Sequence, residues 1–159
     1  MIRPARDDEA EEVAALFNAI NSLDEGGPVV TMTGAHVRRD LLGPAPLSIL
    51  RVAEADGVLA GFVTGNIVFD STRAAGGCIV VDLYVRPEFR RRGIGRALMA
   101  ALAAETRAAG AVCLWWGVDE GDDEATAFYT ALGAGSEGGF EGRILVGAAF
   151  DTIADEAAP

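Results

Sequence analysis

The run Arg90-Arg91-Arg92-Gly93-Ile94-Gly95-Arg96 places forked cationic donors and two glycines in one short stretch. Apolar Cys78 to Val85 precedes it, and Ile94, Ala97, Leu98, Ala101 and Leu102 follow at helical spacing, so a strand feeds directly into a helix start. The first turn of a helix carries N–H groups with no intrahelical partner and the positive end of the macrodipole. Glycine lets a ligand come close to that backbone, and arginine adds charge and paired donors. The chemistry is that of a pyrophosphate-binding turn. A dinucleotide fingerprint needs a third glycine where Leu98 stands, and a nucleoside-triphosphate loop needs a lysine, which this chain lacks altogether.

A second group is Phe128-Tyr129-x-x-Leu132-Gly133-Ala134. Phe128 and Leu132 read as core residues of a helix that Gly133 ends, which leaves the Tyr129 phenol without a packing role. Carboxylates supply the third group. Asp82, at the end of the apolar strand, is either an ion-pair partner or a proton acceptor. The run Asp119-Glu120-Gly121-Asp122-Asp123-Glu124 reads first as helix capping and a solvated loop. Glu141, between Gly138-Gly139 and Gly142, is a turn residue or a contact to a cation. His36 is the only histidine and reads as non-catalytic; no metal-ligand spacing occurs.

Positioning these groups requires alternating elements. Ile2 to Ala5 reads as a strand. Asp8 with Glu11 resembles a capping box for a helix whose apolar face is Val13, Leu16, Phe17 and Ile20. Asp24 to Pro28 is a loop, and Thr33 caps a short helix that runs to Leu42 and stops at Gly43-Pro44. Ser48 to Glu54 and Val58 to Asp70 are strands joined at Asp56-Gly57, a hairpin dipeptide. Gly76-Gly77 marks the next turn, before a central strand to Val85. A helix from Ile94 to Ala109 ends at Gly110, and Val112 to Val118 is a strand bearing Trp115 and Trp116 on alternate faces. Asp122 or Asp123 caps the helix to Leu132. Arg143 to Val146 is a last strand, Ala148 to Ala154 a last helical turn, and the final residues fray. With 159 residues and no repeat or linker, the expectation is one mixed α/β domain over 1–159.

The net charge is −11, yet five of the 13 basic residues lie between Arg86 and Arg96. An acidic chain is repelled by nucleic acid at long range, so a small polyanion on a local basic turn fits better than a nucleic-acid partner. No apolar run reaches the roughly 18 residues of a membrane span. The N-terminus turns acidic where a signal peptide turns apolar, and Cys78 and Cys113 read as buried thiols in a reducing compartment, so a cytoplasmic location without membrane contact is expected.

Arg90-x-x-Gly93-x-Gly95 after Leu83-Tyr84-Val85 resembles motif A of the GNAT superfamily of acyl-CoA-dependent N-acyltransferases, and Ala125 to Gly133 resembles its motif B. Asp82 to Val85, Trp115 to Val118, Gly133-Ala134 and Glu141-Gly142 resemble the spermidine/spermine and thialysine N-acetyltransferase branch over nearly the whole chain, including Val30 to Thr33. The resemblance implies a central mixed, mostly antiparallel twisted sheet flanked by helices. It implies acetyl-CoA as cosubstrate, held by Leu83, Tyr84, Val85, Arg90, Arg91, Arg92, Gly93, Ile94, Gly95 and Arg96, with Asp122 and Ala125 near the pantetheine arm. It further implies Tyr129 as the acid facing the thioester sulfur, a Val85 N–H donor to the oxyanion, and a homodimer.

Three departures from the branch stand out. Val81 stands where a glutamate is frequent, so Asp82 is all that remains of an acidic pair. Asp122 replaces an asparagine and can only accept hydrogen bonds. Arg91 and Arg92 add charge to the turn.

The implied reaction moves an acetyl group to a primary amine of a small cationic acceptor: a polyamine, a diamine or a thialysine-like molecule. Tyr129 suits the general acid, since a phenol's reference pKa lies only about 1.5 units above a thiol's. The base stays open among Asp82, Glu141 and the Asp119–Glu124 carboxylates. Trp115 or Trp116 lines the acceptor site, where an aromatic face suits a cation, and Glu141 with Asp82 would match two separated positive charges. Alternatives are acetylation of a protein N-terminus, a lysine or an aminoglycoside, and, from another class, a non-catalytic acyl-CoA-binding module.

Overall fold

The computed structural model describes residues 1–23, 30–139 and 142–156. It divides into two compact units, Met1–Glu120 and Gly121–Pro159. The expected loop at Asp24 to Pro28, Glu141 and the frayed terminus at 157–159 lie outside the described residues.

The first unit is built on a five-stranded sheet in sequential order: β1 (Ile2–Arg3), β2 (Ile49–Ala55), β3 (Val58–Asp70), β4 (Ala75–Val85) and β5 (Ala111–Trp115). The first four pair antiparallel, and β4 pairs β5 parallel, across a crossover through helix α3 (Ile94–Ala108). Helix α1 (Ala10–Asn21) and short helix α2 (Gly34–Val37) cover one face. There Val13, Leu16 and Phe17 pack with Val52, Phe62 and Tyr84, and the Phe17 and Phe62 rings lie 4.3 Å apart. On the other face α3 buries Leu98, Met99 and Leu102. The expected mixed, mostly antiparallel sheet between helices is thus observed.

Several expectations hold to the residue. The Thr33 side chain accepts the His36 N–H, and the helical stretch continues as a wider turn, Arg38–Leu42, to Gly43. Asp56 and Gly57 both take positive φ, 54° and 82°, and so form the mirror-image turn that fits a two-residue hairpin.

Others differ. β1 stops at Arg3 because Pro4 has no N–H to donate. The capping box is not Asp8 with Glu11. A 3₁₀ turn, Asp7–Glu9, precedes α1, and Glu9 is drawn back to accept the Arg6 N–H at 2.8 Å and the Arg3 guanidinium. The turn before β4 is at residues 71–74, where the Asp70 carboxylate accepts the N–H groups of Thr72 and Arg73. Gly76 and Gly77 lie inside β4: a Cβ at Gly76 would sit 3.2 Å from that of Ala111, and one at Gly77 3.0 Å from the Cys113 sulfur. Their smallness admits β5, rather than turning the chain. β5 ends at Trp115, short of the expected Val118.

The second unit holds α4 (Asp123–Leu132) and α5 (Ala148–Asp155). Arg143 to Val146 is irregular rather than a strand, and Ile144 is 82% exposed. No strand is described in that unit for it to pair with.

Candidate functional site

The ladder between β3 and β4 carries one irregularity that organises everything near it. Thr64 pairs with Asp82 and Gly65 with Val80, so Val81 is an extra residue, a bulge on β4. A bulge re-aims the side chains beyond it. Here it puts Asp82 and Tyr84 on the α1 face, while Val81 stands 56% exposed.

On its other edge β4 pairs with β5 only from Gly76 to Ile79. Among the described residues, Val80 to Val85 has no strand partner on that side. The Arg86 N–H donates to the Ala60 carbonyl at 2.9 Å. Because donors alternate along an antiparallel strand, the Val85 N–H and C=O turn away from β3, into the gap that β5 leaves. The Val85 carbonyl accepts Arg90 Nε there at 3.2 Å. Leu83, two residues back, shares that orientation. Tyr84 does not share it: its N–H and C=O turn toward β3, and its ring is buried beside that of Phe62, with centroids 6.3 Å apart.

A 3₁₀ turn, Pro87–Phe89, carries the chain from β4 to the arginine turn. Arg91 has φ 59° and Gly93 φ 79°. A Cβ at Gly93 would meet nothing within 4 Å, so glycine is needed for its backbone angle, and the space above it is open. The Ala97 N–H donates to the Gly93 carbonyl at 3.0 Å, the first bond of α3. The N–H groups of Ile94, Gly95 and Arg96 precede that bond at the positive end of the helix. Arg92 is turned aside: it pairs with Asp56 at 3.0 Å and lies over the Phe89 ring.

On the α1 face a cavity of about 190 Å³ is walled by Phe17, Met32, Leu41 and Leu47 and by the polar His36, Asp40, Ser48, Thr64 and Asp82. Asp82 makes no ion pair among the described residues; its Oδ2 accepts the Thr64 hydroxyl at 2.6 Å. Asp40 is held by Arg39 through both oxygens, which keeps its carboxyl below the usual carboxylate range. His36 Nδ1 accepts the Thr33 N–H at 3.3 Å. Asp82 is therefore the cavity carboxylate not matched by a cation. Trp115, 38% exposed, pairs with Ile79 where β4 and β5 part, and Trp116 lies past the strand end, so neither fills the core. A larger groove of about 540 Å³, beside the Arg51–Glu105 ion pair, contains none of the predicted site residues.

In the second unit, Asp122 caps α4, its Oδ1 accepting the Ala125 N–H at 2.8 Å. The two predicted contact residues are thus bonded to each other. Tyr129 is half-buried with its ring 5.0 Å from Phe128. Burial pushes its phenol above the ordinary value, and the Asp122 carboxylate pushes it further the same way. The group is protonated at neutral pH, as a proton donor must be.

Thr64 and His36 escaped the sequence reading as site residues. Thr64 faces Asp82 only because Val81 is bulged out. Cys78 and Cys113 are free thiols, and no group of three or more His, Cys, Asp or Glu among the described residues could hold a metal ion. Among the described residues, no helix is long and apolar enough to cross a membrane.

A parted parallel strand pair, with a bulged strand running through a glycine turn into a helix start, is the frame of an acyl-CoA-binding α/β protein. A family model described as the Acetyltransferase (GNAT) family matches residues 14–134, and the chain belongs to that family. It is 34% identical over 128 residues to a mycothiol acetyltransferase of Actinosynnema mirum, a match covering 80% of this chain and 40% of that protein. It is 42% identical over 79 residues to a thialysine N-epsilon-acetyltransferase of Caenorhabditis elegans, covering 47% of this chain and 49% of that one. The chain thus spans less than half the length of these relatives. An integron cassette protein from the mobile metagenome of V. cholerae shares the fold, with a TM-score of 0.76 at 20% identity, covering 97% of this chain and 96% of that one.

Proposed function

We propose that this chain transfers an acetyl group from acetyl-CoA to the primary amine of a small cationic acceptor, a polyamine, diamine or thialysine-like molecule. The observation that carries the reading is the open β4 edge leading into the glycine turn of α3. The residues present fit acetyl-CoA: three amide donors at a helix start, empty space over Gly93, and a strand edge whose Val85 N–H faces the gap. Bound there, acetyl-CoA would supply an acetyl thioester.

The chain's own groups divide the remaining work. The Val85 N–H is a preorganised donor for charge developing on the acetyl oxygen. Asp82 accepts a proton from the arriving ammonium, whose freed electron pair then forms the new C–N bond. Tyr129 gives its proton to the sulfur as the C–S bond breaks, and the second proton that the nitrogen sheds in becoming an amide restores the phenol through solvent. The apolar cavity walls suit the carbon chain of an aliphatic amine, and the Asp82 carboxylate suits its positive end.

Thiol release from acetyl-CoA, measured across diamines, polyamines, thialysine-like amines, aminoglycosides and N-terminal peptides, tests the assignment. The aliphatic amines should give the highest kcat/KM. Preference for peptides or aminoglycosides would reassign the acceptor, and binding without turnover on any amine would make the chain an acyl-CoA-binding module.

A further inference from the structure

Thr64 is 2% exposed on β3, and both hydrogen bonds of its hydroxyl go to a single residue. It donates its one hydrogen to Asp82 Oδ2 at 2.6 Å and accepts the Asp82 N–H at 3.1 Å. The second bond occupies a backbone donor at the bulge, where the ladder is interrupted. The first fixes the side-chain torsions of Asp82. Oδ1 accepts no hydrogen bond among the described residues, and both Thr64 and Asp82 border the cavity that Phe17 and Met32 enclose. One hydroxyl therefore clamps a carboxylate at its backbone and at one oxygen and leaves the other oxygen for a ligand.

We propose that Thr64 is the positioning residue for Asp82, holding Oδ2 so that Oδ1 takes the proton of an aliphatic acceptor ammonium in this cavity. The proposal rests on the reading of Asp82 as the proton acceptor. In that step the N–H bond breaks, an O–H bond forms at Oδ1, and the electron pair stays on nitrogen. A carboxylate free to rotate would spend most of its time out of line with the amine, and misplacement on that scale costs about 10- to 100-fold in rate.

The test compares Thr64→Val, Thr64→Ser and Asp82→Asn in the full chain, with Thr106→Val as control. Thr106 is equally buried but sits on α3, against the opposite face of the sheet. Thr64→Val should lower kcat for a diamine about 10- to 100-fold with the acetyl-CoA KM unchanged, Thr64→Ser should restore most of it, and Thr106→Val should keep wild-type kcat. Thr64→Ala, which removes the same hydroxyl without an added methyl, serves if the valine variant does not fold. Wild-type kcat in Thr64→Val alongside an inactive Asp82→Asn would overturn the positioning role and leave Asp82 as acceptor. Wild-type kcat in Asp82→Asn would overturn the reading beneath it.

Discussion

Tyr129 and Asp122 are coupled through one helix. Asp122 caps α4 with an oxygen, and its charge raises the phenol pKa that burial has already raised. Asn at 122 keeps the capping acceptor and removes the charge. In a Tyr84→Phe background, Asp122→Asn should therefore move the phenol titration of Tyr129 downward, read by tyrosinate absorbance, with little change in melting temperature. An unmoved titration would show that burial alone sets the shift. Tyr129→Phe should keep acetyl-CoA affinity and lower kcat by about 10²- to 10⁴-fold. An unchanged kcat with chemistry rate-limiting would make Tyr129 a packing residue. Tyr129 and the arginine turn were legible because their types and spacings are unusual for packing alone. Thr64 was not, because one threonine in an apolar strand carries no signal until the register of the partner strand is known.

At the scale of elements, the turn before α3 depends on backbone angle. Gly93 sits at φ 79° with room for a Cβ, so Gly93→Ala should cost about 1–2 kcal/mol of stability from the left-handed conformation, not from a clash. The same methyl should weaken acetyl-CoA binding, whereas Arg107→Ala, near the far end of α3, should leave it unchanged; calorimetric titration and melting temperature read the two effects separately. Equal acetyl-CoA affinity in Gly93→Ala and wild type would contradict close approach at this turn. Elements with strong periodicity or an Asp-Gly turn were readable from the sequence. Gly76-Gly77 was misread because glycine signals a turn and a close strand neighbour in the same way, and only Ala111 and Cys113 across the gap decide between them. Arg143 to Val146 has the apolar composition of a strand, but composition does not supply a pairing partner.

For the molecule as a whole, the N-terminal ion cluster ties β1, β2 and the start of α1. Arg3 bonds both Glu9 and Glu54, and the Arg3 hydrogen bond, aided by the Arg6 N–H, lowers the pKa of buried Glu9 to about 2 from 4.5. A carboxyl lowered on folding contributes stability above its unfolded pKa and loses it as pH falls through the folded one. Unfolding free energy should fall between pH 4.5 and about 2, by at most about 3 kcal/mol from this group. Glu9→Gln should be less stable at pH 7 and show a flatter profile across that window; an unaltered slope would assign acid sensitivity elsewhere. The excess of acidic charge was visible from composition, but which carboxylate is buried depends on a chain reversal that composition does not encode.

The central claim is that acetyl-CoA lies along the open β4 edge and ends on the α3 turn. Its most direct test is a titration of the ¹⁵N-labelled chain with acetyl-CoA, following backbone amide resonances. The amides of Leu83, Val85, Ile94, Gly95 and Arg96 should move together and saturate with one affinity. The Tyr84 amide, turned toward β3, and those lining the groove beside Arg51 and Glu105 should move little. Saturating shifts confined to that groove, with the β4 edge and the helix start unmoved, would contradict the account.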